Sequence, residues 1–165
     1  MDWAARVILG RPFFRSIIWY QLFDSSPMLF RDWVFVAQDP KEELLLGPAY
    51  AIPKLLKRAN LSVDDIDVWE IHEAFAGQVL SNLVAMESDK WSSENGQEKV
   101  KIEMEKINTW GGSMSIGHPF GATGVRLIAH ATNRLKHEDK KYAVISACAA
   151  GGHGHAMLIE RHPDY

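Results

Sequence analysis

The sequence predicts an α/β chain, a mixed sheet with helices on its faces in the element order βαβαβαββ. Three observations carry this expectation. Short apolar runs bounded by Gly, Pro or Asp alternate with stretches of helical periodicity. The last two apolar runs are joined by a Gly-rich turn with no room for a helix, which marks an antiparallel hairpin. The length of 165 residues suits one core and hardly two.

Each element has its own signal. The regular pattern starts near Phe30, where Trp33-Val34-Phe35-Val36-Ala37 reads as a strand buried on both faces and Asp39-Pro40 ends it. After Gly47-Pro48, the residues Ala49, Ile52, Leu55, Leu56 and Ala59 recur at helical spacing, with Lys54, Lys57 and Arg58 in the C-terminal half and Pro53 early enough to be tolerated. Leu61 to Asp65 forms a capping-type turn, and Val68-Trp69-Glu70-Ile71 is a short strand. A second helix follows, with Phe75, Val79, Leu83 and Met86 on one stripe. Residues 87–106 hold ten charged side chains around Asn95-Gly96 and read as a solvated insertion. Ile107 to Gly112 supplies a short strand. Ala122, Val125, Ala129, Thr132 and Leu135 mark a third helix, and strands at Tyr142–Cys148 and Ala156–Glu160 close the chain.

Composition limits the function. With 47% hydrophobic and 24% charged residues the chain is neither disordered nor fibrous. A net charge of -3 provides no general attraction for nucleic acid or anionic lipid, so an anionic ligand must be held locally. No apolar run is long enough to span a membrane. Cys148 is the only cysteine, which excludes an internal disulfide and a C-x-x-C metal or redox site.

Residues 1–27 differ from the rest, with Arg6, Arg11 and Arg15 set among Phe13, Phe14, Ile17, Ile18, Trp19 and Tyr20. A transit-like segment and a non-native leader from a truncated coding sequence both fit this pattern, and the leader is the favoured expectation.

Three loops, each expected to follow a strand, carry unusual chemistry: His72-Glu73-Ala74-Phe75, Gly117-His118-Pro119-Phe120-Gly121-Ala122-Thr123-Gly124, and Cys148-Ala149-Ala150-Gly151-Gly152. Taken singly, a histidine at a strand end, a lone cysteine and a glycine turn are ordinary features. Together they surround an imidazole and a thiol with small residues. Backbone can then approach a ligand closely, and N–H groups at a helix start favour negative charge. In an α/β sheet such loops gather at one edge, so His72, His118 and Cys148 are expected to converge.

On GHPFGATG together with the C-terminal CAAGGHGHA block, the sequence resembles the thiolase family, and the stretch from about Met28 to Arg161 is similar to that family's C-terminal lobe. HEAF, where most thiolases carry NEAF, and RDWVFVAQDPKEELLLGPAY resemble the branch that serves as β subunit of mitochondrial trifunctional assemblies. The resemblance implies a single thiolase-type lobe at 28–165. It implies thiolytic cleavage of 3-ketoacyl-CoA to acetyl-CoA and a shortened acyl-CoA in mitochondrial fatty-acid β-oxidation. Coenzyme A and acyl-CoA would be substrates, with no further cofactor and no metal; a homodimer and a hydratase/dehydrogenase α subunit would be the partners in an intact relative.

Site roles follow from the same resemblance. His118 would deprotonate the nucleophilic Cys and help bind the thioester oxygen, and Cys148 would move a proton to or from the acyl-CoA α-carbon. His72 would hold a water in the first oxyanion hole; the backbone around Ala150 and Gly151 would contribute to the second, and Asn108 would orient the catalytic loop. These residue types suit the task, since an enolate needs stabilised negative oxygen and a base that works near neutral pH.

In the family the nucleophilic Cys belongs to a second, N-terminal lobe, and residues 1–27 show no motif of that lobe. The alternative expectation is therefore a catalytically inactive fragment or an assembly module. A metal-dependent hydrolase built on His153, His155 and Cys148 is a further alternative, resting on the H-x-H spacing beside a thiol.

Overall fold

The structure, a computed structural model, describes residues 28–39 and 41–163. The leader 1–27 lies outside them. Four strands form one sheet: β1 (Met28–Ala37), β2 (Val68–Ile71), β3 (Tyr142–Ala149) and β4 (His153–Arg161), in the spatial order β1-β4-β3-β2. Pairing is parallel between β2 and β3 and antiparallel between β3 and β4 and between β4 and β1. Among the described residues the α-helices are α1 (Gly47–Ala59), α2 (Ala76–Glu87), α3 (Asp89–Glu94), α4 (Ser113–Ile116) and α5 (Thr123–His137).

Alternation along the strands divides the core between the two faces. Trp69, Ile71, Val144, Leu158, Val34 and Val36 pack with α1 on one side; Val68, Ala143, Ile145 and Ile159 pack with Leu127, Ala131 and Leu135 of α5 on the other. The mixed sheet and the closing hairpin are as the sequence predicts, and several element details differ from it.

β1 is an edge strand with alternating burial, not a strand covered on both faces: Val34 and Val36 are inside, Phe35 is 55% exposed and Trp33 is 37% exposed. The expected strand at 107–112 is reduced to one parallel bridge between Ile107 and Trp69, because the Asn108 side chain supplies the next pair of hydrogen bonds. The insertion is packed, not solvated throughout. Ser88 caps α3 by accepting the Trp91 N–H, the Trp91 ring meets Tyr50 edge-on, and Val100 and Ile102 are buried among the charged residues.

Two helical stripes are rotated from their expected positions. In α2 the buried residues are Gln78, Asn82 and Met86, since Asn82 accepts the Ala49 N–H and donates to the Leu45 carbonyl, tying α2 to the start of α1. In α5 the buried residues include Leu127, Ala131, Arg134 and Leu135, while Val125 is 69% exposed. α1 begins at Gly47, which leaves Pro53 inside the helix and not in its first turn; burial of Ile52, Leu55 and Leu56 offsets the lost backbone bond.

Candidate active site

β2 and β3 run parallel, so their C-terminal ends share one sheet edge, and α5 begins at the same edge after the Gly117–Ala122 loop. His72 is the first residue beyond β2, and its N–H donates to the Ser146 carbonyl of β3 at 2.8 Å. His118 stands in the loop before α5. Their rings lie 4.3 Å apart between centroids.

Asn108 builds the shoulder that holds His72. Its side-chain oxygen accepts the Ile71 N–H at 2.8 Å, and its Nδ2 donates to the Ile71 carbonyl at 2.7 Å and to Glu73 Oε1 at 2.6 Å. This clamp offsets the left-handed backbone of Asn108 itself, φ 48°. Glu73 Oε2 accepts the Met114 N–H at 3.0 Å, which fastens the His72 loop to α4. Gly112 is required beside it, because a Cβ there would collide with the Glu73 carboxylate.

The two imidazoles have different settings. His72 is buried at 5% exposure, with Nδ1 2.9 Å from Ser113 Oγ, and Arg126 Nη2 donates to that same Oγ at 2.7 Å. Burial first, then the neighbouring His118 and the Arg126 charge, hold the His72 pKa below its ordinary value, with Glu73 acting the other way. His118 is exposed, and its Nδ1 lies 2.6 Å from Thr123 Oγ1 at the start of α5. Its ring also lies 4.8 Å from Phe120, which is 90% exposed.

Cys148 is at the C-terminal end of β3, two residues past the Ser146 that pairs with Ile71, and it is buried. Burial raises its thiol pKa, partly offset by a backbone hydrogen bond, so the group rests as the neutral thiol. Cys148 pairs in register with Gly154, where β4 meets the first residue of α1 backbone to backbone; a Cβ on Gly154 would overlap Gly47. Ala150 and Gly151 form the exposed head of the hairpin turn beside it.

The edge therefore brings together the His72 and His118 rings and sets Cys148, Ala150 and Gly151 at the end of the adjoining strand, with Asn108 behind. Ser113, Arg126, Thr123 and Glu73 complete the arrangement, and the sequence assigns none of them a role. The hydroxyl inside GHPFGATG and the acid inside HEAF lie within the motifs already singled out, whereas nothing in the sequence pairs Ser113 with a histidine 41 positions away. The H-x-H alternative fails on geometry. His153 and His155 alternate onto the pleat face of Phe35 and Trp33, whose rings they meet, and Cys148 belongs to the face of Gly154.

The thiolase C-terminal domain family model matches residues 27–161. A probable 3-ketoacyl-CoA thiolase of Caenorhabditis elegans is 63% identical over 133 residues, covering 79% of this chain and 30% of the relative. The mitochondrial trifunctional enzyme subunit beta of Homo sapiens is 56% identical over 137 residues, covering 81% of this chain and 29% of the relative. A crystal structure of human mitochondrial 3-ketoacyl-CoA thiolase in complex with CoA superposes with a TM-score of 0.66 at 34% identity, covering 81% of this chain and 30% of that one. The chain thus spans about 30% of the length of the curated relatives it matches.

Proposed function

The chain belongs to the thiolase family, and from that premise we propose that residues 28–165 are its C-terminal lobe, carrying the proton-transfer half of a site for thiolytic cleavage of 3-ketoacyl-CoA. The observation that carries this reading is the pair of imidazoles in tilted ring contact at one sheet edge, each with its own hydroxyl partner, beside a strand that carries the single thiol near its end.

The chemistry divides between groups. A thiolate nucleophile attacks the C3 carbonyl of the substrate, and the C2–C3 bond breaks. The electron pair passes to the acetyl-CoA enolate, which takes a proton at its α-carbon. Cys148 supplies that proton, consistent with a thiol kept neutral by burial. His118, exposed at the loop, serves as the base for the nucleophile and assists at the thioester oxygen. His72, buried and neutral, donates toward the water or oxygen of the first oxyanion hole, and the backbone at Ala150 and Gly151 contributes to the second. Asn108 orients the His72 loop. The acyl group left on the nucleophile is released by the thiol of coenzyme A.

Covalent catalysis needs a nucleophile distinct from the proton carrier. The sequence contains one cysteine, so with Cys148 as proton carrier the acyl-accepting thiol is not among these 165 residues. Coenzyme A and acyl-CoA are the proposed ligands, in keeping with the CoA named in the human thiolase structure. A mitochondrial setting, a homodimer and a hydratase/dehydrogenase α subunit are proposed with them; the mitochondrial trifunctional subunit named among the relatives supports the first and last.

The test joins residues 28–163 to the remainder of the Caenorhabditis elegans relative in place of its matching segment. Thiolysis of acetoacetyl-CoA and of longer 3-ketoacyl-CoA by the joined protein is the expected result. A folded, acylation-competent protein with no turnover would overturn the proposal.

A further inference from the structure

We propose that Ser113, held by Arg126, is a positioning residue that fixes His72 with its proton on Nε2, so that the ring presents a donor and never a base to the site. The hydrogens available at one oxygen fix this tautomer, which deepens the oxyanion role proposed for His72 and rests on it for its catalytic meaning.

Ser113 is the first residue of α4 and is only 7% exposed. Its hydroxyl has one hydrogen to give and two lone pairs to receive with. Among the described residues, its oxygen meets two partners, Arg126 Nη2 at 2.7 Å and His72 Nδ1 at 2.9 Å. A guanidinium only donates, so Arg126 occupies a lone pair. If His72 also donated from Nδ1, the serine hydrogen would be left buried with no acceptor, which is unfavourable. The alternative satisfies every group: the hydroxyl donates to Nδ1, and the neutral ring carries its hydrogen on Nε2. Burial and the nearby Arg126 charge disfavour a second proton on the ring, so the donor state persists at neutral pH.

The neighbouring ring has the opposite arrangement. Thr123 Oγ1 has a carbonyl acceptor in Pro119 at 3.4 Å, so its oxygen is available to accept from His118 Nδ1 at 2.6 Å. That leaves Nε2 of His118 with a lone pair. Two histidines in ring contact can thus perform opposite tasks, because one serine is locked by an arginine.

Nitrogen-15 NMR of the 165-residue chain with labelled histidine tests this without substrate. The His72 signals are assigned by their loss in His72→Asn. In the parent chain, Nε2 should be the protonated nitrogen and Nδ1 should resonate as a hydrogen-bond acceptor. Ser113→Ala should move Nδ1 to the position of an unbonded ring nitrogen, Ser113→Thr should restore it, and Arg126→Met should admit a fraction protonated on Nδ1. A parent chain with His72 protonated on Nδ1, or an Nδ1 resonance unmoved by Ser113→Ala, would overturn the proposal. Since the readout needs no turnover, the inference can fail while the thiolysis of the joined protein stands, and the reverse. In that joined protein Ser113→Ala should lower kcat about 10–100-fold, the range found when the orienting partner of a metal-bound histidine is removed.

Discussion

Histidine burial gives this chain a pH dependence with a definite sign. His72, His130 and His155 are all held below the ordinary histidine value of 6.5, each chiefly by burial. Below 6.5 the unfolded chain therefore binds more protons at these positions than the folded one. The stability they contribute is present above 6.5 and is lost as the pH falls through their folded values. Glu70 acts in the opposite sense. Burial raises its pKa above 4.5, so its contribution is present below 4.5 and is lost as the pH rises. Between neutrality and the carboxylate range three histidines act against this one carboxylate. Urea midpoints should fall on acidification through the histidine range, and His130→Gln should remove part of the slope. A midpoint that rises over that range would contradict the assignment.

At the scale of elements, β2 is joined to α5 by a buried ion pair. Glu70 Oε1 meets Arg134 Nη1 at 2.8 Å with both side chains almost fully covered, and Arg134 Nε donates to Glu138 at 3.0 Å. Removing one partner from such a pair costs roughly 3–5 kcal/mol, whereas replacing both with apolar groups is often close to neutral. Arg134→Met alone should sharply lower the urea midpoint, and Glu70→Leu with Arg134→Met should recover most of the loss. Equal losses in the single and double variants would mean that the pair is not what couples β2 to α5.

This pair also marks where sequence reading stops. Val-Trp-Glu-Ile is legible as a strand because of its apolar run, but the partner of its acid is 64 residues away and nothing local identifies it. The same holds for α5, where Arg134 lies on the buried stripe that hydrophobicity alone assigns elsewhere. Gln78 and Asn82 hide the buried stripe of α2 in the same way, because hydrogen bonds across elements justify burying them. The placement of His72 and Cys148 at one edge was legible because β2 and β3 run parallel and end there, and that of His118 because its loop leads into the following helix. The network that orients the rings was not.

For the whole molecule, the uncovered surface follows from the sheet layout. α5 covers the part of its face near β2 and β3, leaving Phe35 55% exposed and Trp33 37% exposed on β1, with Phe120 90% exposed beside the candidate site. A net charge of -3 provides weak repulsion against association through such a surface. The chain should bind a hydrophobic dye and show a weight-average mass that rises with concentration in sedimentation. Phe35→Ser with Trp33→Ser should reduce both effects. A monomer that ignores the dye would show that the apolar surface is covered within the chain.

The central claim is that this lobe moves the α-proton and does not carry the acyl group. The most direct measurement is hydrogen exchange at the α-carbon of acetyl-CoA, followed together with enzyme acylation, in the protein made by joining residues 28–163 to the rest of the relative. Cys148→Ser should abolish exchange and leave acylation of the other thiol intact. Exchange that persists while acylation disappears, or an acyl group found on Cys148 by mass spectrometry, would contradict the claim.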